Sequence, residues 1–176
     1  MKDLKVTAKN ALTALADSGA DMASVHITRS ETREFNVDGG EFSLFRTLFD
    51  DSVSLTGYRE GRKGTAQINR LDDVAVQAAA AECMLSAESA EPDPAWELAP
   101  GQGEMTFADG CAEGDMEKFF FRLRELMDHL KTHHPAILME QLIACHRKFT
   151  MVYRNSRGAA FETTGGQYEE IGRAHV

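Results

Sequence analysis

Three histidines near residue 130 are the strongest candidates for metal chemistry in this sequence. His129 and His133 are four residues apart, so on a helix they share one face, and His134 follows directly. A zinc-peptidase helix of the H-E-x-x-H type also needs a glutamate after the first histidine as general base, whereas this chain has Leu130 there. Histidines at the end of a helix interact favourably with its dipole. We therefore predict a polar helix end rather than a metal site.

The thiols and the remaining histidines give no nucleophile with its base. Cys145 and His146 are neighbours in a predicted strand, where successive side chains point to opposite faces. Cys83 lies in an alanine-rich stretch and is predicted to pack in the core. Cys111 is predicted to be exposed in a connection, and His26 is predicted to face solvent. The count of three cysteines, with no C-x-x-C spacing, argues against a disulfide scaffold or a zinc ribbon and favours reduced thiols.

Glycine-rich and acidic clusters give no site either. The sequence Gly61-Arg62-Lys63-Gly64 lacks the spacing of a phosphate-binding loop and leads into a strand, so we predict a hairpin turn. Of the two carboxylate pairs, Asp72-Asp73 is predicted to begin a helix, and Glu169-Glu170 lies beside an unusual tail. We therefore predict no catalytic, metal-binding or cofactor-binding residue in this segment and identify no substrate-binding residue.

Length and charge set further bounds. The 176 residues suffice for one domain, and 43% hydrophobic with 27% charged residues is ordinary for a soluble protein. A net charge of −9 repels phosphate backbones, which disfavours direct nucleic-acid binding. No apolar run approaches the roughly 20 residues that span a bilayer, and the N-terminus lacks a signal-peptide core. We expect a cytoplasmic protein without a membrane partner.

Hydrophobic periodicity predicts an α+β fold, with a mostly antiparallel sheet and three main helices packed on it. The helices are predicted at about 3–17, 72–89 and 115–133, beginning at Asp72 and Asp115 in the last two cases. The helix after Asp72 is predicted to bury the stripe Val74, Ala78, Ala81 and Leu85. Strands are predicted around 23–28, 33–37, 41–49, 53–57, 64–68, 139–147, 149–154 and 159–164, with a Pro/Gly-rich surface connection at 91–109.

The ordered features of Gly61–Pro94 resemble the TldD/PmbA family, also called TldD/TldE or modulator of DNA gyrase. They are a glycine-rich strand, an N-R-L-D turn, an alanine-rich helix and a P-D-P exit. The forms Arg62-Lys63-Gly64 and Pro92–Ala95 are more similar to the PmbA (TldE) branch than to the TldD branch. A G-A-D turn at 19–21 and an N-S-x-G turn at 155–158 extend the resemblance over most of Lys2–Tyr168.

The resemblance implies a cytoplasmic peptidase that works as a heterodimer on small or unfolded peptides. In that family the TldD-type subunit carries the zinc in its C-terminal half, and the TldE/PmbA subunit lacks the metal site. Residues 1–168 would then be the N-terminal domain, with the C-terminal domain absent. This domain would form part of the substrate-enclosing wall and contact a TldD-type partner subunit. The alternative is a stand-alone module whose exposed sheet edge binds an extended peptide.

The last residues need a separate explanation. Glu170–Val176 reads EIGRAHV, which resembles the translation of a sequencing adapter. We therefore expect residues 169–176 to be a non-native tail, with a genuine polar tail as the alternative.

Overall fold

The computed structural model describes residues 2–101 and 103–175, in which three helices and one sheet of six strands confirm the α+β class. In chain order the elements are α1 (Leu4–Asp17), β1 (Met22–Asp38), β2 (Glu41–Arg59), β3 (Arg62–Ile68), α2 (Asp73–Glu88), β4 (Gly103–Gly110), α3 (Met116–His133), β5 (Leu138–Asn155) and β6 (Ala159–His175). The strand order in the sheet is β3-β2-β1-β5-β6-β4. No helix in the described residues has the length and apolarity needed to cross a membrane.

Tight turns with positive φ join the hairpins at the predicted places. Gly39 and Gly40, at φ +57° and +84°, connect β1 to β2, and Gly158, at φ +91°, lies between β5 and β6. Glu60 and Gly61, at φ +51° and +72°, connect β2 to β3. Two consecutive positive φ angles match the right-handed twist of the flanking strands, which explains why these short loops close hairpins.

The predicted strands were too short and too many. β1 runs unbroken through the two strands predicted at 23–28 and 33–37, and β2 through those at 41–49 and 53–57. β5 likewise joins 139–147 to 149–154, and β6 extends the strand predicted at 159–164 as far as His175. The polar residues between the predicted pieces do not end a strand, because a ladder requires backbone pairing and not apolar side chains.

Contacts divide the chain into two compact units. Unit 1 comprises Met1–Arg29, Asp50–Ala108 and Thr150–Thr164. Unit 2 comprises Ser30–Phe49, Asp109–Phe149 and Gly165–Val176.

Unit 1 has a core of small and aliphatic side chains. The alternating residues Ala23, Val25 and Ile27 of β1 are buried. From α1 the core receives Leu4, Ala8, Ala11 and Leu15, and the half-buried Leu12 packs against it. The N-caps of the helices in this unit are Asp3, which accepts from the Lys5 amide, and Asp72, which accepts from the Ala75 amide.

The predicted buried stripe of α2 was wrong. Val74 and Leu85 are 77% and 63% exposed, and Ala78 and Ala81 also face solvent. The buried side is formed instead by Val76, Ala79, Ala80, Cys83, Met84 and Ala87. Alanines occur on several sides of this helix, so the spacing alone does not determine which side faces the sheet. The side that faces β3 contains Cys83 and Ala87, whose backbones lie against Gly64.

The predicted surface connection at 91–109 contains β4. Its strand pairs beside β6 at the edge of the sheet, and nearly all of its side chains are exposed. An edge strand of this kind carries no buried apolar face, so it gave no alternating signal. Upstream of β4, Leu98 is buried, and Trp96 lies 5.9 Å from the Tyr58 ring and under the Lys63 ammonium group.

Unit 2 is built around one helix and an aromatic cluster. Its buried core consists of Val37, Leu123, Met127, Leu142 and Ala144. On α3, Leu123 and Met127 are buried, and Phe119, Phe120 and Leu130 are half-buried. Asp115 begins the helix by accepting the Lys118 amide at 2.9 Å.

Candidate interaction surface

The three histidines lie at the exposed C-terminal end of α3. The rings of His129 and His133 stack 4.4 Å apart at 21°, and the His134 ring lies 5.6 Å from that of His129. Stacked rings do not direct their nitrogen atoms to a common point, and Nδ1 of His133 lies 3.3 Å from the carbonyl oxygen of His129. This arrangement does not fit a zinc ion, which needs converging ligands. In residues 2–101 and 103–175, no group of three or more potential ligands is placed to hold a metal.

Cys145 and His146 are both buried on β5, and each has its own environment. Nε2 of His146 donates to the Cys111 carbonyl oxygen at 2.8 Å, and its ring lies 4.7 Å from that of Tyr168. Burial, together with the nearby carboxylates of Glu169 and Glu34, raises the pKa of the Cys145 thiol. A thiol with a raised pKa stays protonated at neutral pH and is a poor nucleophile. The burial of His146 was not predicted, because nothing in its neighbourhood in the sequence indicates the Cys111 carbonyl.

The other two thiols lie where the sequence predicted them. Cys83 is fully buried on α2, and burial raises the pKa of its thiol. Cys111 is exposed, and its Sγ donates to the carbonyl oxygen of Glu113 at 3.0 Å. His26 is exposed on β1, also as predicted. None of these groups is adjacent to an activating base in the contacts described.

The remaining candidates have structural roles. Gly61 closes the β2–β3 turn, and Gly64 packs directly against the backbone of α2, which leaves no room there for a phosphate group. Asp72 caps α2, and Asp73 forms an exposed ion pair with Lys2 at 3.1 Å. Glu169 and Glu170 are exposed on β6, where Glu169 accepts a hydrogen bond from Gln167.

The feature with the clearest potential for function is the first half of β2, residues 41–49, which we call the open edge. β3 pairs with β2 only from Val53 to Arg59, where Val53 faces Ile68 and Arg59 faces Arg62. β3 is the last strand on that side of the sheet. In the described part of the chain, no strand pairs with the open edge on the side of β2 that faces β3. Its backbone N–H and C=O groups are thus available to another strand.

Large apolar side chains of the open edge are exposed on both of its faces. Leu44 and Leu48 are 46% and 42% exposed, and Phe45 and Phe49 are 57% and 77% exposed. Because strand side chains alternate, the two leucines belong to one face and these two phenylalanines to the other. Such a cluster is typical of an interaction site. The sequence signal was an apolar run without period two, which we interpreted as an ordinary strand.

Aromatic rings from α3 adjoin the open edge within unit 2. The Phe120 ring lies 5.0 Å from Phe42, 5.5 Å from Phe35 and 5.6 Å from Phe45. Phe121, next in the chain, is 44% exposed and stacks beside the Arg124 guanidinium group. The arrangement presents apolar surface, and the carboxylates beside it, those of Glu34 and Glu41, are each paired with a basic side chain.

No family model matches this sequence, and no curated protein matches it. Solved structures do match in fold. TldE from Thermococcus kodakarensis has a TM-score of 0.78 at 16% identity, over 96% of this chain and 39% of that chain. A protein from Bacteroides thetaiotaomicron named as a candidate modulator of DNA gyrase has a TM-score of 0.76 at 16% identity, over 97% and 40%.

A third structure, of a similarly named protein from Thermotoga maritima, has a TM-score of 0.65 at 14% identity, over 98% of this chain and 40% of that chain. The chain therefore spans about 40% of the length of the solved structures that it matches. The resemblance to the TldD/PmbA family is confirmed at the level of the fold.

Proposed function

We propose that this chain is the N-terminal domain of a TldE-type subunit in a cytoplasmic two-subunit peptidase. It forms part of the wall that encloses the peptide and part of the contact with a TldD-type partner. The observation that carries the proposal is the fold match, which covers nearly all of this chain and about 40% of TldE and its neighbours. Hydrolysis and zinc binding are assigned to the C-terminal region of such proteins and to the partner.

The environments of the candidate groups support an architectural role. Both buried thiols have raised pKa values, and His146 is engaged with a backbone carbonyl. Asp72 is used as a helix cap, and the three histidines of α3 are stacked at an exposed helix end. These groups stabilise elements of the fold instead of converging on a space where a substrate could react.

The surface of unit 2 supports a contact with another protein. The open edge and Phe121 expose large apolar side chains on neighbouring elements, and monomeric proteins seldom expose such patches without a binding role. The net charge of −9 favours a protein partner over nucleic acid, so we propose no direct role at DNA.

Co-purification with a TldD-type subunit from the same genome tests the proposal. We expect the pair to form a complex by size-exclusion chromatography with light scattering. An unstructured peptide should be cleaved only when the zinc-bearing partner is present, and this chain alone should be inactive. Phe121→Ala should weaken the complex, whereas the matched control Val74→Ala, at an exposed position of unit 1, should not. Zinc-dependent cleavage by the chain alone would contradict the proposal, as would failure to bind the partner.

A further inference from the structure

We infer that, in unit 1, the side of the sheet turned away from α1 and α2 binds an extended, acidic peptide with aromatic side chains. The surface, which we call the aromatic face, is defined by the rings of Trp96, Tyr58, Tyr153, Phe161 and Phe107. The inference rests on the proposed function, because it names the surface with which the wall holds the peptide. It assigns no residue to the hydrolysis itself.

The side on which each ring lies follows from its neighbours in the strand. Gly57 lies against side chains of α1 and α2, and Val152 belongs to the core that these helices form with the sheet. Glu162 and Glu104 both pair with Lys5 of α1. In a strand, residues an odd number of positions apart lie on opposite sides of the sheet. Counting from these four residues places the following rings on the side away from α1 and α2: Tyr58, Tyr153, Phe161 and Phe107.

The rings form a row that crosses several strands. The rings of Tyr153 and Phe161 stack 5.8 Å apart at 14°, and the Phe161 ring lies 6.2 Å from that of Phe107. Towards the other edge of the sheet, the Trp96 ring lies 5.9 Å from that of Tyr58. Phe107 and Trp96, at the two ends of the row, are 47% and 39% exposed. The row therefore presents ring surface to solvent at both ends, where a bound chain gains apolar contact.

The length of the row indicates an extended chain as the ligand. The strands that carry rings near its two ends, β2 and β4, are four positions apart in the strand order. Neighbouring strands are about 4.8 Å apart, so the row is about 19 Å long, and an extended chain covers that distance with about six residues. A compact small molecule binds in an enclosed pocket instead. We therefore expect the affinity to rise with peptide length up to about six residues.

The charge of the aromatic face differs from that of the whole chain. Glu104 and Glu162 point towards α1, and Asp51 pairs with Arg29, which donates to the backbone just before α1. Among the acidic strand residues of unit 1 that the structure describes, Asp50 alone is left for the other side. Although the chain has a net charge of −9, an acidic peptide therefore meets few carboxylates on this face.

Lys63 supplies the opposite charge at one end of the row. Gly64 packs against the backbone of α2, so Lys63, the residue before it on β3, points to the aromatic face. Its Nζ lies 4.5 Å from the centre of the Trp96 ring and pairs with no carboxylate in residues 2–101 and 103–175. A peptide carboxylate can pair with this ammonium group while a neighbouring ring packs on the row. A single lysine does not neutralise a phosphate backbone, so the face favours an acidic peptide over single-stranded nucleic acid.

Fluorescence of Trp96, the single tryptophan of the chain, reports binding to the aromatic face. The probe is an unstructured, tryptophan-free peptide of about eight residues with phenylalanines on both sides of a glutamate, titrated into the full 176-residue chain. We expect saturable binding that is about fivefold weaker for a peptide of half that length. Replacing the phenylalanines of the peptide by serine should weaken binding by about the same factor. Titration calorimetry repeats each measurement without relying on Trp96.

Variants with matched controls locate the site. Phe107→Ser should weaken binding about fivefold, whereas Leu85→Ser, at a 63% exposed position of α2, should not change it. Lys63→Glu should weaken binding of the glutamate peptide and strengthen that of a peptide with lysine in its place. Lys9→Glu makes the same change in net charge at an exposed position of α1 and should alter neither affinity severalfold. Circular dichroism checks that each variant is folded.

The absence of saturable peptide binding would overturn the inference. So would equal losses of affinity from Phe107→Ser and Leu85→Ser, or tighter binding of single-stranded DNA than of the peptide. These titrations need no partner subunit, so their failure is distinguishable from failure of the two-subunit complex to form. A chain that binds the TldD-type partner but not the peptide contradicts the inference alone. A chain that binds the peptide but not the partner contradicts the two-subunit assignment and leaves the aromatic face as a peptide site.

Discussion

The two compact units of this chain differ in how much of their apolar surface they bury themselves. Among the described residues, the core of unit 1 has 18 buried members, drawn from two helices, three strands and the loop before α2. That of unit 2 has five, grouped around α3. Stability rises with the apolar area removed from water, so unit 1 can be held by its own core. Unit 2 buries fewer apolar side chains, so it gains less stability from its own core.

The exposed side chains show the converse. Large apolar groups at the surface of unit 2 include both faces of the open edge, Phe121 of α3 and Ile171 of β6. Those of unit 1 belong to different elements, for example Val6 of α1 and Val74 of α2. The comparison shows that unit 2 has a small core because many of its large apolar side chains lie at the surface. Apolar side chains that could enlarge the core of this unit are instead exposed at its surface.

The largest expected effect comes from matched leucines, one in each core. Leu15 of α1 is fully buried among other core residues, and Leu123 of α3 is buried beside half-exposed phenylalanines. Leu15→Ala should cost about 5 kcal/mol and Leu123→Ala about 3 kcal/mol, because partly exposed neighbours have more room to move into the cavity. Urea denaturation measures both, and hydrogen exchange locates each loss in its unit. Equal losses of unfolding free energy in the two variants would contradict the proposed difference between the two cores.

Matched strand glycines should give the next largest contrast. A Cβ on Gly64 would lie 1.9 Å from the Cys83 carbonyl oxygen and 2.7 Å from the Ala87 nitrogen, both in the backbone of α2. A Cβ on Gly172 would meet first the Leu142 side chain, at 3.1 Å. Gly64→Ala should therefore cost about 3 kcal/mol and Gly172→Ala less than about 1 kcal/mol, because a side chain can yield where a helix backbone cannot. Thermal unfolding of the two variants measures the difference.

The local parts of the fold could be predicted from the sequence. Caps such as Asp72 and Asp115 and the positive-φ turn at Gly39-Gly40 depend on residues within one turn of chain. The buried side of α2 could not be predicted, because it is selected by Gly64, on a different element. The lengths of the strands were predicted wrongly for the same reason, because a partner strand far along the chain determines where pairing continues.

The interaction surface could be predicted only as an apolar run. That residues 41–49 form an edge depends on where β3 ends, at Ile68, which is a long-range pairing. The absence of an H-E-x-x-H motif was visible directly in the sequence. The burial of His146 beneath the Cys111 carbonyl again required the folded chain. The adapter origin of residues 169–176 stays a prediction.

Substituting two neighbouring phenylalanines of α3 should distinguish a core residue from a surface residue. Phe120→Ala should cost about 2–3 kcal/mol, because its ring contacts three other rings of unit 2. Phe121→Ala should cost less than about 0.5 kcal/mol, because its side chain is 44% exposed and lies outside the buried core of unit 2. The free energy of unfolding of each variant tests this. If Phe121→Ala destabilises the chain as much as Phe120→Ala, Phe121 is ordinary core and not a docking residue.

The buried thiols can report the opening of each unit. With the exposed thiol removed by Cys111→Ser, labelling by a thiol reagent under native conditions requires Cys83 or Cys145 to become exposed. Burial raises both thiol pKa values, so the closed forms are unreactive. Cys145 should label about tenfold faster than Cys83, equivalent to about 1.4 kcal/mol easier opening of unit 2. Mass spectrometry of each peptide measures the rates, and faster labelling of Cys83 would reverse the comparison.

The smallest expected effect is a loss of folding stability at acidic pH, and it is confined to unit 1. The hydrogen bond from the Ala75 amide to the Asp72 carboxylate, assisted by Arg70, lowers the pKa of Asp72. A carboxyl group with a lowered folded pKa stabilises the folded state above its unfolded pKa of about 4, and this stabilisation is lost as the pH falls through the folded pKa. Asp72→Asn keeps an acceptor for the cap but has no charge to titrate, so its stability should fall less below about pH 4 than that of the unmodified chain.

Asp72→Ala removes the cap itself and should be less stable at neutral pH as well, which separates the hydrogen bond from the charge. Asp73→Asn, at the next position and outside the cap, controls for the loss of one negative charge. Urea denaturation followed by circular dichroism at a series of pH values measures all three variants. Because α2 belongs to unit 1, hydrogen exchange at neutral pH should place the effect of Asp72→Ala in β3 and α2 and leave α3 unchanged. A change spread equally over α3 would mean that the two units open together, and the contrast between their cores would then not extend to their stability.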